Sequence, residues 1–218
     1  MQLTKENTIR VHRQEITPGE AFAEQARQAA QAMPSRHGIP PILHFIWFGH
    51  EEPELVTWLR QSVVDQYPGW KVKVWRDKPS GWPQEWEDAF QRGGDDLVHK
   101  SDVLRWWPLL TQGGIYFDSD FFGVRPLPDS VLGAEFAGSF GGRGKRPGNR
   151  FKLWGKQRSA LCGILASIPH GKIVTAMVKD MLSVQTQEWG ATGMNVLARG
   201  IKRGGVHLIN PAQIYAVG

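Results

Sequence analysis

Lys100-Ser101-Asp102-Val103-Leu104-Arg105-Trp106-Trp107-Pro108-Leu109-Leu110-Thr111-Gln112-Gly113-Gly114-Ile115-Tyr116-Phe117-Asp118-Ser119-Asp120 reads as a helix, a glycine stop, a buried strand and two acids at the strand's end. Gly113-Gly114 can take the left-handed conformation that ends a helix, so the chain reverses at once into Ile115-Tyr116-Phe117 and packs the strand against the helix. In a strand alternate side chains share a face, so Asp118 and Asp120 point the same way about 6 to 7 Å apart. Two carboxylates so placed repel unless a cation sits near them, and hard ions such as Mg²⁺ or Mn²⁺ take oxygen ligands with phosphate completing the shell. Ser101 is the expected N-cap, which puts Asp102 and Arg105 on neighbouring positions of one helix face, either as a simple ion pair or both reaching a ligand. Pro108 has no N–H to give residue 104, so the helix either kinks there or starts nearer to it.

Working upstream, residues 42–48 are almost continuously apolar between Pro40-Pro41 and Gly49, the pattern of a strand covered on both faces. Helical spacing follows at 53–67, a short strand at 71–75 and a weaker helix at 82–92. Downstream, 121–127 and 134–140 read as short strands, 171–189 and 196–202 as helices and 206–209 as a last strand. This alternation predicts an α/β single domain, a mostly parallel central sheet flanked by helices. Ligands of such sheets bind beyond the carboxyl ends of the strands, where Trp47 and the Asp118/Asp120 pair are both placed. Trp47, at the exit of its strand, is either a site residue or core; His44 and His50 carry no functional assignment.

Three segments, residues 39–49, 101–105 and 113–120, resemble in order and spacing the DXD sugar transferases: the initiating α-1,6-mannosyltransferases, capsule and lipopolysaccharide transferases, and the catalytic domains of clostridial glucosylating toxins. Residues 163–167 and Ala191-Thr192-Gly193-Met194 are similar to two later family segments, with Met194 where a proline is usual. The resemblance implies a GT-A-like fold and a metal-dependent, retaining glycosyltransferase that uses a UDP-sugar or GDP-mannose with Mn²⁺ or Mg²⁺. By the same resemblance Trp47 and Phe48 hold the nucleotide, Asp102 and Arg105 contact donor sugar and ribose, and Tyr116 lies near the diphosphate. Asp118 meets the donor and reaches the metal through water, and Asp120 ligates it. The acceptor is then a hydroxyl on a glycan. In the family a polar residue and a tryptophan beyond the segment matching 209–215 complete the site, so the catalytic unit at 39–218 reads as shortened or as closed by another segment.

The first 38 residues read as a helical extension, with a capping box at Thr17-Pro18-Gly19-Glu20 followed by an alanine-rich face. No apolar run reaches membrane-span length, and no signal peptide opens the chain. One cysteine, Cys162, excludes an internal disulfide, fits a reducing cytoplasm and reads as a buried apolar residue. The net charge of +5 is local: Arg143, Lys145, Arg146, Arg150, Lys152, Lys156 and Arg158 stand with no acid between residues 141 and 158. That stretch is a solvated loop or a trap for an anionic acceptor or diphosphate, and it supports the main alternative, a nucleic-acid-binding protein or a sugar transferase acting on DNA. A DXD phosphatase fits less well, because Phe122 stands where that chemistry takes Thr or Val. Oligomeric state is not legible.

Overall fold

A computed structural model describes residues 38–49, 51–141, 159–186 and 188–209. The expected N-terminal helix, the basic stretch from Arg143 to Arg158 and the segment from Asn210 onward lie outside them. The architecture is α/β, as expected, with a six-stranded sheet between two layers of helices. Its strands are β1 (Ile42–Ile46), β2 (Lys71–Trp75), β3 (Gly114–Phe117), β4 (Phe136–Gly141), β5 (Ser159–Ser167) and β6 (His207–Ile209), in spatial order β2-β1-β3-β5-β4-β6. β1 runs parallel to β2 and β3, and β4 parallel to β6. β5, which the pattern of residues did not announce, runs against both its neighbours.

The helices are α1 (Glu54–Val64), α2 (Gln84–Gln91), α3 (Leu97–Leu104), α4 (Trp106–Thr111), α5 (Asp129–Leu132), α6 (Lys172–Leu182) and α7 (Met194–Arg203). Alternation along β3 builds two cores. Ile115 and Phe117 pack with Val63 and Tyr67 beneath α1, whereas Tyr116 faces the layer containing Trp86, Leu104, Trp106 and Leu197.

Three local expectations are corrected, and the helix break expected near Pro108 is borne out. The helix begins earlier than Ser101, because Asp96 is the N-cap and its carboxylate accepts from the amide of Val98. The helix divides at Arg105, one turn before Pro108, which has no N–H to return to Leu104. Residues 121–127 form no strand. Gly123 lies so close to α1 that a Cβ there would sit 2.5 Å from the Ser62 carbonyl oxygen, and its amide donates to Ser62 Oγ at 2.9 Å. This segment therefore covers α1 and leaves the sheet ladder. α6 stops at Leu182, where the buried spacing of Val174, Met177, Val178 and Met181 gives way to exposed residues.

The glycine bend is as the residues demand: φ is +65° at Gly113 and +102° at Gly114, and a Cβ on Gly114 would meet the Ile42 carbonyl oxygen at 2.5 Å. His44, fully buried on β1, ties this bend to the sheet. Its Nε2 donates to the Gly113 carbonyl at 2.8 Å, and its Nδ1 accepts from the Trp75 indole at 3.2 Å. Both nitrogens are thus used by the neutral ring.

Burial lowers the His44 pKa to about 4, with nearby Lys73 acting in the same direction. The folded value lies below the unfolded one, so this contribution is whole above about pH 6.5 and is lost as pH falls toward 4. It amounts to about 3 kcal/mol, which urea unfolding at pH 7 and at pH 4 will show as a drop that His44→Gln diminishes.

Candidate active site

The carboxyl ends of β1 and β3 lie on one edge of the sheet, and the chemistry-bearing residues gather there. β3 ends at Phe117, so Asp118, Ser119 and Asp120 form a turn and not a continued strand. The Asp118 amide still donates to the Gly163 carbonyl at 2.8 Å, one last rung on β5. The turn separates the acids: Asp118 is half-buried and directed inward, and Asp120 is exposed.

At the centre is Arg105, buried where α3 meets α4. Its guanidinium lies 2.5 Å from Asp102 Oδ1 and 3.5 Å from Asp118 Oδ1, and Nη1 donates to the Cys162 carbonyl at 2.9 Å. The cation sits over the Tyr116 ring at 4.9 Å, and the Tyr116 hydroxyl donates to Asp118 Oδ1 at 2.6 Å. Of the two openings the sequence left for Asp102 and Arg105, the ion pair is present, and Arg105 also reaches Asp118. Burial opposes the arginine's charge, but Asp118, Tyr116 and Asp102 hold its pKa well above the ordinary value. Burial raises Asp102 against the pull of Arg105. Burial also holds Tyr116 as a neutral phenol, a donor to Asp118.

Two structural devices that the residues did not reveal complete this cluster. Along β4 and β5, Gly138 pairs with Leu165 but the next residue, Ser139, pairs with Leu161. Within the shifted stretch Cys162 gives its carbonyl to Arg105, while the Gly163 carbonyl keeps its ladder bond to the Asp118 amide. Cys162 is a buried residue, as expected, with its thiol pushed up by burial, and its contribution to the site is its main chain. Gly193 is the second device: a Cβ there would lie 2.8 Å from Asp102 Oδ2. The Trp106 indole donates to the adjoining Thr192 carbonyl at 2.9 Å. The signal for both was the pair of later segments, 163–167 and 191–194.

Trp47 and Phe48 stand at the same edge, beyond β1. Trp47 is half-buried and belongs to neither core; its indole N–H donates to the Glu51 carbonyl at 3.3 Å. Phe48 packs edge-on against Phe90 at 6.0 Å, on the rim of the core beneath Arg105's face of the sheet. The loop after them is pinned by Glu52, whose nearly buried carboxylate pairs with Arg60 and Arg76.

Among the described residues no group of three His, Cys, Asp or Glu side chains is placed to hold a metal alone. Asp118 commits Oδ1 to Tyr116 and Arg105, which leaves Oδ2. Asp120 reaches solvent, with its carboxylate raised by partial desolvation and by the like charge of Asp118. Such a donor pair suits a hard cation that borrows most of its shell from phosphate oxygens.

Residues 53–137 match the family described as a glycosyltransferase sugar-binding region containing a DXD motif. Inositol phosphoceramide mannosyltransferase 2 of Schizosaccharomyces pombe is 32% identical over 102 residues, covering 43% of this chain and 28% of that protein. Subversion of eukaryotic traffic protein A of Legionella pneumophila is 28% identical over 134 residues, 49% of this chain and 20% of that protein. The chain thus spans less than a third of the length of these relatives. A solved structure titled PaToxG Glycosyltransferase shares the fold at TM-score 0.56 and 16% identity, over 89% of this chain and 80% of that one. The resemblance read from the three segments and the GT-A-like architecture are both borne out.

Arg105→Met leaves Asp102 and Asp118 facing each other without a buried cation, a loss of about 3 to 5 kcal/mol in urea unfolding. Asp120→Asn, on the exposed side of the turn, changes stability by less than about 0.5 kcal/mol in the same measurement.

Proposed function

We propose, from the DXD-containing glycosyltransferase region carried by residues 53–137, that this protein moves a hexose from a nucleoside diphosphate to an acceptor hydroxyl with retention of anomeric configuration. The observation that carries this reading is the joining of Asp102, Arg105, Tyr116 and Asp118 in one network at the sheet edge where Trp47 and the exposed Asp120 also stand. UDP and GDP are the candidate carriers. The relatives named as mannosyltransferases support a hexose as the group moved. A cytoplasmic location and a glycan acceptor belong to the same proposal.

In this reading Trp47 stacks on the base, a contact worth about 1 to 3 kcal/mol. Arg105 holds Asp102 and Asp118 in fixed positions, so their oxygens accept from sugar and ribose hydroxyls without reorganising. Asp120, with Asp118 behind it, would hold Mn²⁺ or Mg²⁺ against the diphosphate, where the ion acts as a Lewis acid toward the departing charge. The anomeric C–O bond breaks with its electron pair going to the phosphate oxygen. The acceptor oxygen bonds to the same face of the sugar, and its proton passes to the departing phosphate. No protein nucleophile is required, which fits a network committed to holding Arg105. The nucleic-acid reading rests on Arg143 to Arg158, outside the described residues, and no described feature favours it.

Thermal unfolding with UDP, GDP and Mn²⁺ tests the proposal. One nucleotide should raise Tm only when Mn²⁺ is present, by an amount equivalent to about 2.7 kcal/mol at a hundredfold excess over Kd. Asp120→Asn should abolish the metal-dependent part. A native protein that neither nucleotide stabilises at millimolar concentration with Mn²⁺ would overturn the reading.

A further inference from the structure

The residue after the DXD turn faces inward and the next faces out. Phe121 is buried, and its ring lies beside Gly163, where a Cβ would be 2.4 Å from its Cε2 and 3.1 Å from Asp118 Oδ2. Phe122 is 40% exposed and stacks on Trp58 of α1, with ring centroids 5.1 Å apart and planes 21° from parallel. Trp58 itself is 56% exposed. A pair of large aromatic rings held this far into water loses favourable burial, and rimmed apolar patches of this kind mark binding surfaces.

Gly123 anchors the segment to Ser62 and Val63, one turn further along α1, so Phe122 backs the indole and limits its rotation. The pair also adjoins the site. Only Phe121 separates Phe122 from Asp120, a span of at most about 7 Å along the chain, and Glu52, just before α1, pairs with Arg76 just beyond β2, the parallel neighbour of β1.

The rim chooses among occupants. Glu54 and Gln61 stand four residues before and three after Trp58 on its helix face, both exposed, and Leu55, three before it, adds an exposed apolar flank. An aromatic ring bordered by carboxylate and amide oxygens is matched to a pyranose, whose axial C–H groups lie flat on a ring while its hydroxyls donate outward. A bilayer surface is matched to aromatics bordered by Lys and Arg, and acids at the rim oppose anionic lipid.

We propose that Trp58, backed by Phe122, is a sugar-stacking subsite that holds a ring of the acceptor glycan beside the transfer site. This rests on the transferase reading and adds to it that the acceptor is an oligosaccharide long enough to reach α1. Only a glycan of two or more residues gains from the shelf.

Saturation-transfer NMR on the native protein with mannotriose, maltotriose and chitotriose tests it. At least one trisaccharide should receive saturation on its ring C–H protons, with the signal falling at least fivefold in Trp58→Ala and persisting in Trp58→Tyr. Trp58 is exposed, so Trp58→Ala should keep the native Tm, which is measured alongside. Absence of transfer to all three sugars, or equal transfer in Trp58→Ala, overturns the subsite. Trp58-dependent flotation with phosphatidylglycerol vesicles, or a Trp58-dependent dimer in sedimentation, without sugar contact overturns it in favour of lipid or self-association. Nucleotide binding with Mn²⁺ in the same sample separates the failures: bound nucleotide without bound sugar sinks the subsite alone, whereas bound sugar without bound nucleotide sinks the transferase reading.

Discussion

A buried guanidinium held between two carboxylates, a phenol ring and a main-chain carbonyl is the contact on which this molecule turns. Arg105 joins α3 to α4, reaches β3 through Asp118 and Tyr116, and reaches β5 through Cys162. Withdrawing a cation from water costs several kcal/mol, and only near-complete pairing recovers it. The pairing is near complete here, and no buried side-chain polar atom among the described residues lacks a partner. The same arrangement keeps the acids on Arg105 close together and fixed in place, which suits the transfer proposed above.

Much of the site was legible because its parts are short-range. The Gly113-Gly114 bend, the helix before it and the acids after it lie in one run of the chain, and left-handed φ at both glycines is a local demand. The parallel pairing of β1 with β3 followed from apolar runs separated by helices, and it set Trp47 and Asp118 on one edge. What escaped the sequence is nonlocal or small. A bulge at Leu161 to Leu165 depends on how β4 and β3 grip β5 on either side, and no residue type announces it. Gly193 touches Asp102 across 91 positions of chain, a contact visible only once α7 packs back on the sheet.

The strand misread at 121–127 has a different cause. Phe, Val and Leu there satisfy strand propensity, yet propensity describes a half-buried pleated surface and not a partner. α1 offered Gly123 a closer seat than the sheet did, and Pro126 and Pro128 have no N–H to offer a ladder. That departure from regular structure carries the chain from the acids to the outer face of α1.

The bulge has a consequence for how this protein can vary. Cys162 gives Arg105 its carbonyl oxygen, an atom every amino acid possesses, so side chains of similar size can replace the thiol over generations without disturbing the contact. Its neighbour has no such latitude. Gly163 is wedged between the Phe121 ring and Asp118, and any Cβ there must displace one of them. Two adjacent positions in one strand are thus open to drift and closed to it, according to whether an atom common to all residues or the lack of a side chain is what the site requires.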